Sequence, residues 1–330
     1  MPTDRVRRQR GGALLAVLWL AAGLSAIAFS LAQTVRTETG RTSNAIDGVR
    51  AYYLATGAIE RALLYMEWGP RASLPDGSSR FYSPWTTSFA FSFPTGEAIV
   101  EIVPEAAKMN INAARPEEIF RLLLSLGADA GRAREITDAI LDWRTVRGEG
   151  QGGMFDPYYM SLNPSFRARH ASLEETEELL LVKGMTAELF HGGFFRDANG
   201  RLVSRDGLKD CVSVWGSGAA VDVNTAPPAV LAAVGLRPDE VARVVEARAA
   251  RPFRLPDQIR SMGLGEGPAA GRLRIGGGSI YTLRATARLR TDGGGLSDLR
   301  RSVAATVKLL GYSGGQPHHV LRWQENVWVR

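Results

Sequence analysis

The sequence predicts an α+β protein. One long N-terminal helix leads into a small antiparallel sheet, and a large all-α domain is inserted between the strands of that sheet. Three observations carry this expectation. An uncharged run of twenty residues, Ala13–Ala32, continues into an amphipathic helical pattern. Strand-like alternation occurs at residues 89–103 and returns only from residue 280 onwards. The stretch between them is mostly helical and repeats itself once.

The N-terminal run reads "RRQRGGALLAVLWLAAGLSAIAFSLAQ", Arg7–Gln33. Twenty residues of helix at 1.5 Å each cross a hydrocarbon core of about 30 Å. A discarded secretory signal would have an apolar region of only about 7–15 residues. Arg5, Arg7, Arg8 and Arg10 lie on its N-terminal side and place that end in the cytoplasm. Residues 1–11 are therefore expected to be a cytoplasmic leader, residues 12–33 the membrane-spanning part of the helix, and the bulk to lie outside the membrane.

The helical pattern continues through "NAIDGVRAYYLATGAIERALLYMEW". Ile46, Val49, Tyr53, Ile59, Leu63 and Met66 recur at steps of three to six and are read as one apolar stripe that packs against other subunits. Gly40, Gly48 and Gly57 weaken this helix by about 1 kcal/mol each relative to Ala, and Gly40 marks a candidate bend. "GPRASLPDGSS" then ends it. A hairpin follows, "FAFSF" and "AIVEIV" joined by "PTGE". Matching strands return in "IYTLRATARL", "LRRSVAATVKLL" and "HVLRWQENVWV". The sheet domain is accordingly assigned to 34–104 and 276–330, and the inserted helical domain to 105–275.

Inside the insert, "MNINAARPEEIFRLLLSLGADAGRAREITDAILDWR" and "VDVNTAPPAVLAAVGLRPDEVARVVEARAARPF" share a plan. Each opens on a polar pair, Asn110/Asn112 or Asp222/Asn224, followed by a Pro that starts a helix, a Gly-containing turn and a second helix. This is the plan of a helix-hairpin-helix unit, twice. Such hairpins can bind DNA by aiming backbone amides at a phosphate. Here "LGADAG" and "VGLRPDE" carry acids where a phosphate would approach, so packing is the expected role.

Composition narrows the function further. Half of the net charge of +6 sits in residues 1–11, and the remaining charges are interspersed, unlike a nucleic-acid stripe. The single Cys211 excludes an internal disulfide. His170, His191, His318 and His319 lack the spacing of paired metal ligands and are read as surface residues. "WGSGA" and "GGGS" lack the spacing of a nucleophile elbow or a phosphate loop. No catalytic residue is assigned, and no enzyme activity is expected. Asp138 and Asp142 at i, i+4, with Glu149 and Asp156 beyond, could hold calcium or pair with Arg134 and Arg144. "RDANGRL" reads as a hairpin turn.

Together these features resemble the type IV pilin-like proteins. The stretches "RGGALLAVLWLAA", "AYYLATGAIERAL", "MNINAA", "AILDWR", "DPYYMSL", "EELLLVKGM", "VDVNTAPPAVLAA" and "RATARL" resemble, in order, the minor pseudopilin K family of the bacterial type II secretion system (general secretion pathway protein K). That resemblance implies a pilin-like fold and a bacterial inner-membrane protein with its bulk in the periplasm. It implies a leader cut by prepilin peptidase at Gly11 or Gly12, with Gly11 preferred because Leu14 and Leu15 then take the third and fourth mature positions. The implied partners are minor pseudopilins I and J, other pseudopilins and the inner-membrane secretion platform, and the implied place is the tip of the pseudopilus. Most pilins carry Glu at the fifth mature position; here it is Ala16, or Val17 in the other register. Family members also bind calcium in the insert, which designates Asp142, Glu149 and Asp156, although Thr145, Val146 and Arg147 replace most of the acids expected there. Two other layouts share parts of this pattern: a minor pilin of a type IV pilus, and a membrane-anchored periplasmic helix-hairpin-helix DNA receptor.

Overall fold

The structure, a computed structural model, describes residues 9–69, 72, 74, 79–148, 150–196, 200–216, 220–264, 267–269, 271–291, 293–311, 316–325 and 327. Helix α1, Gln9–Trp68, is unbroken for 60 residues, about 90 Å at 1.5 Å per residue. No Pro interrupts it, and the helix continues through Gly40, Gly48 and Gly57. Between its two halves the hydroxyls of Thr34, Thr37, Thr39 and Thr42 donate to carbonyls four residues earlier, the way a helix accommodates such residues in its interior.

Strands β1 (Ser88–Phe93) and β2 (Gly96–Pro104) form the expected hairpin, with Phe91 opposite Ala98. The chain then leaves the sheet. It passes through a two-residue strand β3 (Met109–Asn110), helices α2 (Pro116–Ser125), α3 (Ala130–Arg144) and α4 (Asp156–Met160), a 3-10 turn at Thr176–Leu181 and helix α5 (Ala187–His191). A hairpin of β4 (Gly193–Arg196) and β5 (Leu202–Arg205) flanks the "RDANGRL" segment. Helix α6 (Leu208–Cys211) follows, with β6 (Val212–Ser213), β7 (Val221–Asp222), α7 (Pro228–Ala233), α8 (Pro238–Ala250), α9 (Pro256–Ser261) and β8 (Leu273–Arg274). Three strands return to the sheet: β9 (Ile280–Arg290), β10 (Leu296–Leu309) and β11 (His318–Glu325).

The sheet is antiparallel with order β1-β2-β9-β10-β11, so β2 and β9, from opposite sides of the excursion, lie side by side. Their alternation puts Val100, Ile102, Leu283, Ala285 and Ala287 on one face. Ala55, Ala58, Ile59, Ala62, Leu63 and Met66 of α1 bury against that face, and the three alanines let the helix approach closely. A second core fills the excursion, from Met109 to Ala269, and includes Ile119, Leu122, Ile140, Tyr159, Phe190, Val230 and Val244. This part is not all-helical as expected. The paired strands β3–β6 and β7–β8 are parallel, and β4–β5 is antiparallel, because short segments there satisfy their backbone groups across the chain.

The two cores are tied at named residues. Glu105 is buried and accepts from Lys108 Nζ (3.1 Å), from the Thr282 hydroxyl of β9 (2.7 Å) and from the Ser213 hydroxyl of β6. Arg322 of β11 reaches Glu175 and Glu177 at 3.4 and 3.3 Å.

Candidate functional site

Gly11 and Gly12, where a leader cut is expected, and Ala16 lie in the first turns of α1. A Cβ added to Gly12 would meet no atom within 4 Å, and Ala16 is exposed. The same is true of Leu14, Leu15, Val17, Leu18, Trp19, Leu20, Leu24, Ile27, Phe29 and Leu31, each more than half exposed. An apolar surface this continuous needs lipid or other subunits around it. Among the described residues, α1 is the single helix long and apolar enough to cross a membrane, with a mean hydropathy of 2.2 in its best window.

The six-residue stripe on α1 divides into two faces, which corrects its reading as one subunit-packing surface. Ile59, Leu63 and Met66 are buried against the protein's own sheet, whereas Ile46, Val49 and Tyr53 are 48, 56 and 67% exposed. The reason is angular. At about 100° per residue, the six-residue step from Tyr53 to Ile59 rotates the pattern by roughly 120° around the helix. Only the upper three residues remain available to a partner, beside a recess lined by Arg50, Tyr53, Leu54, Gly57, Phe93 and Thr95.

After α3 the chain folds into a polar cluster. The Asp142 side chain is 5% exposed, and its Oδ1 accepts from the Met154 amide at 3.1 Å and from the Arg147 guanidinium. Its Oδ2 accepts from the Phe155 amide, also at 3.1 Å. Burial alone would raise the Asp142 pKa, but the Phe155 amide, Arg147 and the Met154 amide together hold it below its ordinary value. Asp156 accepts from the Gly153 amide at 2.8 Å and faces His170 Nε2 at 3.0 Å, while His170 Nδ1 lies 3.1 Å from the Asp142 carbonyl oxygen. His170 adopts φ +47°, a conformation His tolerates better than most residues.

Two expectations change here. Asp142 pairs with Arg147 and not with Arg134 or Arg144. His170 and His318 are half-buried and hydrogen-bonded, His318 to Glu67 at 2.7 Å, rather than surface residues. Of the designated calcium residues, Asp142 and Asp156 come together, and Glu149 lies outside the described residues. Among the described residues, the donor set falls short of what calcium takes, six to eight oxygens. Both carboxylates are already occupied by N–H groups or an imidazole, and no group of three or more His, Cys, Asp or Glu among the described residues is placed to hold a metal.

The two similar stretches of the insert make the same contacts. Arg144, at the end of α3, donates to the carbonyls of Ile111 and Ala114, the latter at 2.6 Å. Arg248, near the end of α8, donates to Val223 and Ala226 at 3.0 and 2.7 Å. Burial lowers the pKa of both guanidinium groups. Asn112 pairs with the backbone of Leu173, and Asn224 with that of Phe253, each by one donated and one accepted bond. The stretches also meet each other. Arg121 of α2 donates to the Ala233 carbonyl of α7 at 2.9 Å, and the fully buried Glu118 of α2 also accepts from Arg272, just before β8, at 2.6 Å.

Family models for "Type II secretion system (T2SS), protein K" match residues 100–192 and 221–274. The first runs from β2 through α5, and the second from β7 to β8. Among curated proteins, the type II secretion system protein K of Klebsiella pneumoniae is 29% identical over 201 residues, covering 56% of this chain and 60% of the relative. That of Pseudomonas aeruginosa is 24% identical over 275 residues, covering 77% and 76%. The chain thus spans about three-fifths of the length of the Klebsiella protein and more of the Pseudomonas one. In fold it is similar to a chain in the crystal structure of the GspK-GspI-GspJ complex from the enterotoxigenic Escherichia coli type 2 secretion system. The TM-score is 0.55 at 18% identity, over 87% of this chain and all of that one.

Proposed function

Because the chain belongs to the type II secretion system protein K family, we propose that it is a minor pseudopilin at the tip of the pseudopilus. There it helps to start the filament that exports folded proteins across the outer membrane. Its role is structural and not enzymatic. The observation that supports this best is the combination of a family-matched insert, suspended from a small sheet, with a 60-residue helix whose first half is bare and apolar.

In this reading the arginine-rich N-terminus lies in the cytoplasm, prepilin peptidase cuts after Gly11, and Ala13–Ala32 anchors the chain in the inner membrane before joining the filament. Residues 34–104 and 276–330 form the pilin-like domain and 105–275 the insert. The insert's two similar stretches are helix-hairpin-helix-like packing units. Their hairpin acids are engaged within the chain, Asp129 with the Arg132 amide and Glu240 with the Arg237 amide, which favours packing over phosphate binding. The partners are minor pseudopilins I and J, whose counterparts accompany the structural relative in its complex. Other pseudopilins and the inner-membrane secretion platform are further partners in this reading.

Co-expression of residues 35–330 with the soluble parts of pseudopilins I and J, followed by size-exclusion chromatography, tests this. A stable ternary complex is expected. Three separately eluting proteins would overturn the reading.

A further inference from the structure

We propose that Arg147 is a built-in cation for the loop that follows α3. By this arrangement, Arg147, Gly153–Asp156 and His170 are held around Asp142 by the protein's own charges and need no divalent metal.

The argument begins with Asp142. Its carboxylate is 5% exposed, and a buried carboxylate requires donors or a counter-charge. Three donors meet it: the amides of Met154 and Phe155 and the guanidinium of Arg147. The two amides come from the far side of the loop, so one carboxylate draws residues 147, 154 and 155 together. Asp156 extends the arrangement through the Gly153 amide and His170, and His170 returns to the Asp142 carbonyl oxygen.

The space is closed as well as the polarity. A Cβ on Gly153 would stand 2.5 Å from the Asp142 carboxylate and against the His170 ring. The groups pointing at Asp142 are N–H donors, whereas a calcium ion needs several oxygens at about 2.3–2.6 Å. A metal entering here would have to displace Arg147 and turn two peptide N–H groups away. The positive charge that calcium would bring is already supplied by the guanidinium, which a carboxylate holds in a directional hydrogen-bonded pair.

The proposal does not depend on the role at the pseudopilus tip, and its test reads the loop alone. Hydrogen exchange by mass spectrometry would be followed on the full chain in detergent, with millimolar calcium chloride or with EDTA, for peptides covering Met154 and Phe155. Equal protection in both solutions is expected. Arg147→Gln is expected to lower that protection by about tenfold or more, with strand β9 unchanged. Arg147→Lys, which keeps the charge, is expected to retain most of it. Protection that rises with calcium in the unsubstituted protein would overturn the proposal, and so would an Arg147→Gln variant as protected as its parent. Should Arg147→Gln fail to fold, the calcium comparison on the unsubstituted protein and the Arg147→Lys variant still decide.

Discussion

The Asn112 side chain grips the backbone of Leu173 from both directions: Nδ2 donates to the carbonyl at 2.9 Å and Oδ1 accepts from the amide at 2.8 Å. The residues are 61 positions apart, so this one amide fixes the segment before the 3-10 turn at Thr176–Leu181 to the segment that leads into α2. Asn224 does the same for Phe253 at 2.9 and 2.8 Å. The side chain imitates a strand edge, offering one donor and one acceptor at the spacing of a peptide group.

Asn112→Ala removes both bonds and leaves a carbonyl and an amide without partners in a half-buried site. A loss of about 2–4 kcal/mol is expected, at about 1–2 per bond. Asn112→Asp should fare no better, because it substitutes an acceptor for the donor facing the Leu173 carbonyl. Thermal unfolding of the two variants beside the parent checks this. Asn224→Ala should cost a similar amount, and a large inequality between the two would show that the matching contacts carry different loads.

The link between β11 and the insert should weaken in acid. Burial alone would raise the Glu177 pKa, but its own backbone amide and Arg322 hold it below the ordinary carboxylate value. A group with a depressed folded pKa contributes fully above its unfolded value, about 4.3, and loses that contribution as pH falls through the folded one. The side chains are partly exposed, so the effect is below about 1 kcal/mol. Arg322→Ala should therefore lower the melting temperature more at pH 7 than at pH 3. An equal loss at both would sink the assignment.

Much of this architecture is legible in sequence because it rests on local periodicity. The 3.6-residue pattern shows α1, and the two-residue pattern of "IYTLRATARL" shows β9. Periodicity fails where the pattern shifts phase. Ile46 and Leu63 look like one stripe until the six-residue step is counted as a rotation, and only burial shows that they serve different neighbours. The loop cluster is harder still. Arg147 is visible as a missing acid, but His170 lies 28 residues from the Asp142 carbonyl oxygen it meets, and no local signal marks it. Glu105, a pivot between the two cores, meets Thr282 across 177 positions. Contacts made by chain reversal leave no trace in spacing.

The two faces of α1 should separate in mutagenesis. Leu63 is 1% exposed against the sheet, so Leu63→Ala should cost about 2–5 kcal/mol and lower the melting temperature. Tyr53 is 67% exposed, so Tyr53→Ala should change stability by less than about 0.5 kcal/mol. It should, however, weaken recovery of pseudopilins I and J with the soluble part. If Tyr53→Ala instead destabilises the isolated chain, the exposed face has an internal role.

The last prediction concerns the N-terminus. With the leader cut after Gly11, Ala16 becomes the fifth mature residue, where most pilins resemble one another in carrying Glu. In a filament such a Glu would neutralise the free amine of the subunit ahead. A subunit at the tip has none ahead of it, and a carboxylate in an apolar helix bundle without a partner costs several kcal/mol. Ala16 is exposed on α1 among leucines and alanines. Ala16→Glu should therefore leave the fold of residues 34–330 and the peptidase cut unaltered, yet reduce filament initiation and secretion. Intact-mass measurement of the mature chain checks the cut, and a secretion assay checks the rest. A mature mass beginning at Ala13 would move the fifth position to Val17, and the equivalent test would then be Val17→Glu. Full secretion with Glu at the verified fifth position would remove the argument that a missing acid marks the tip.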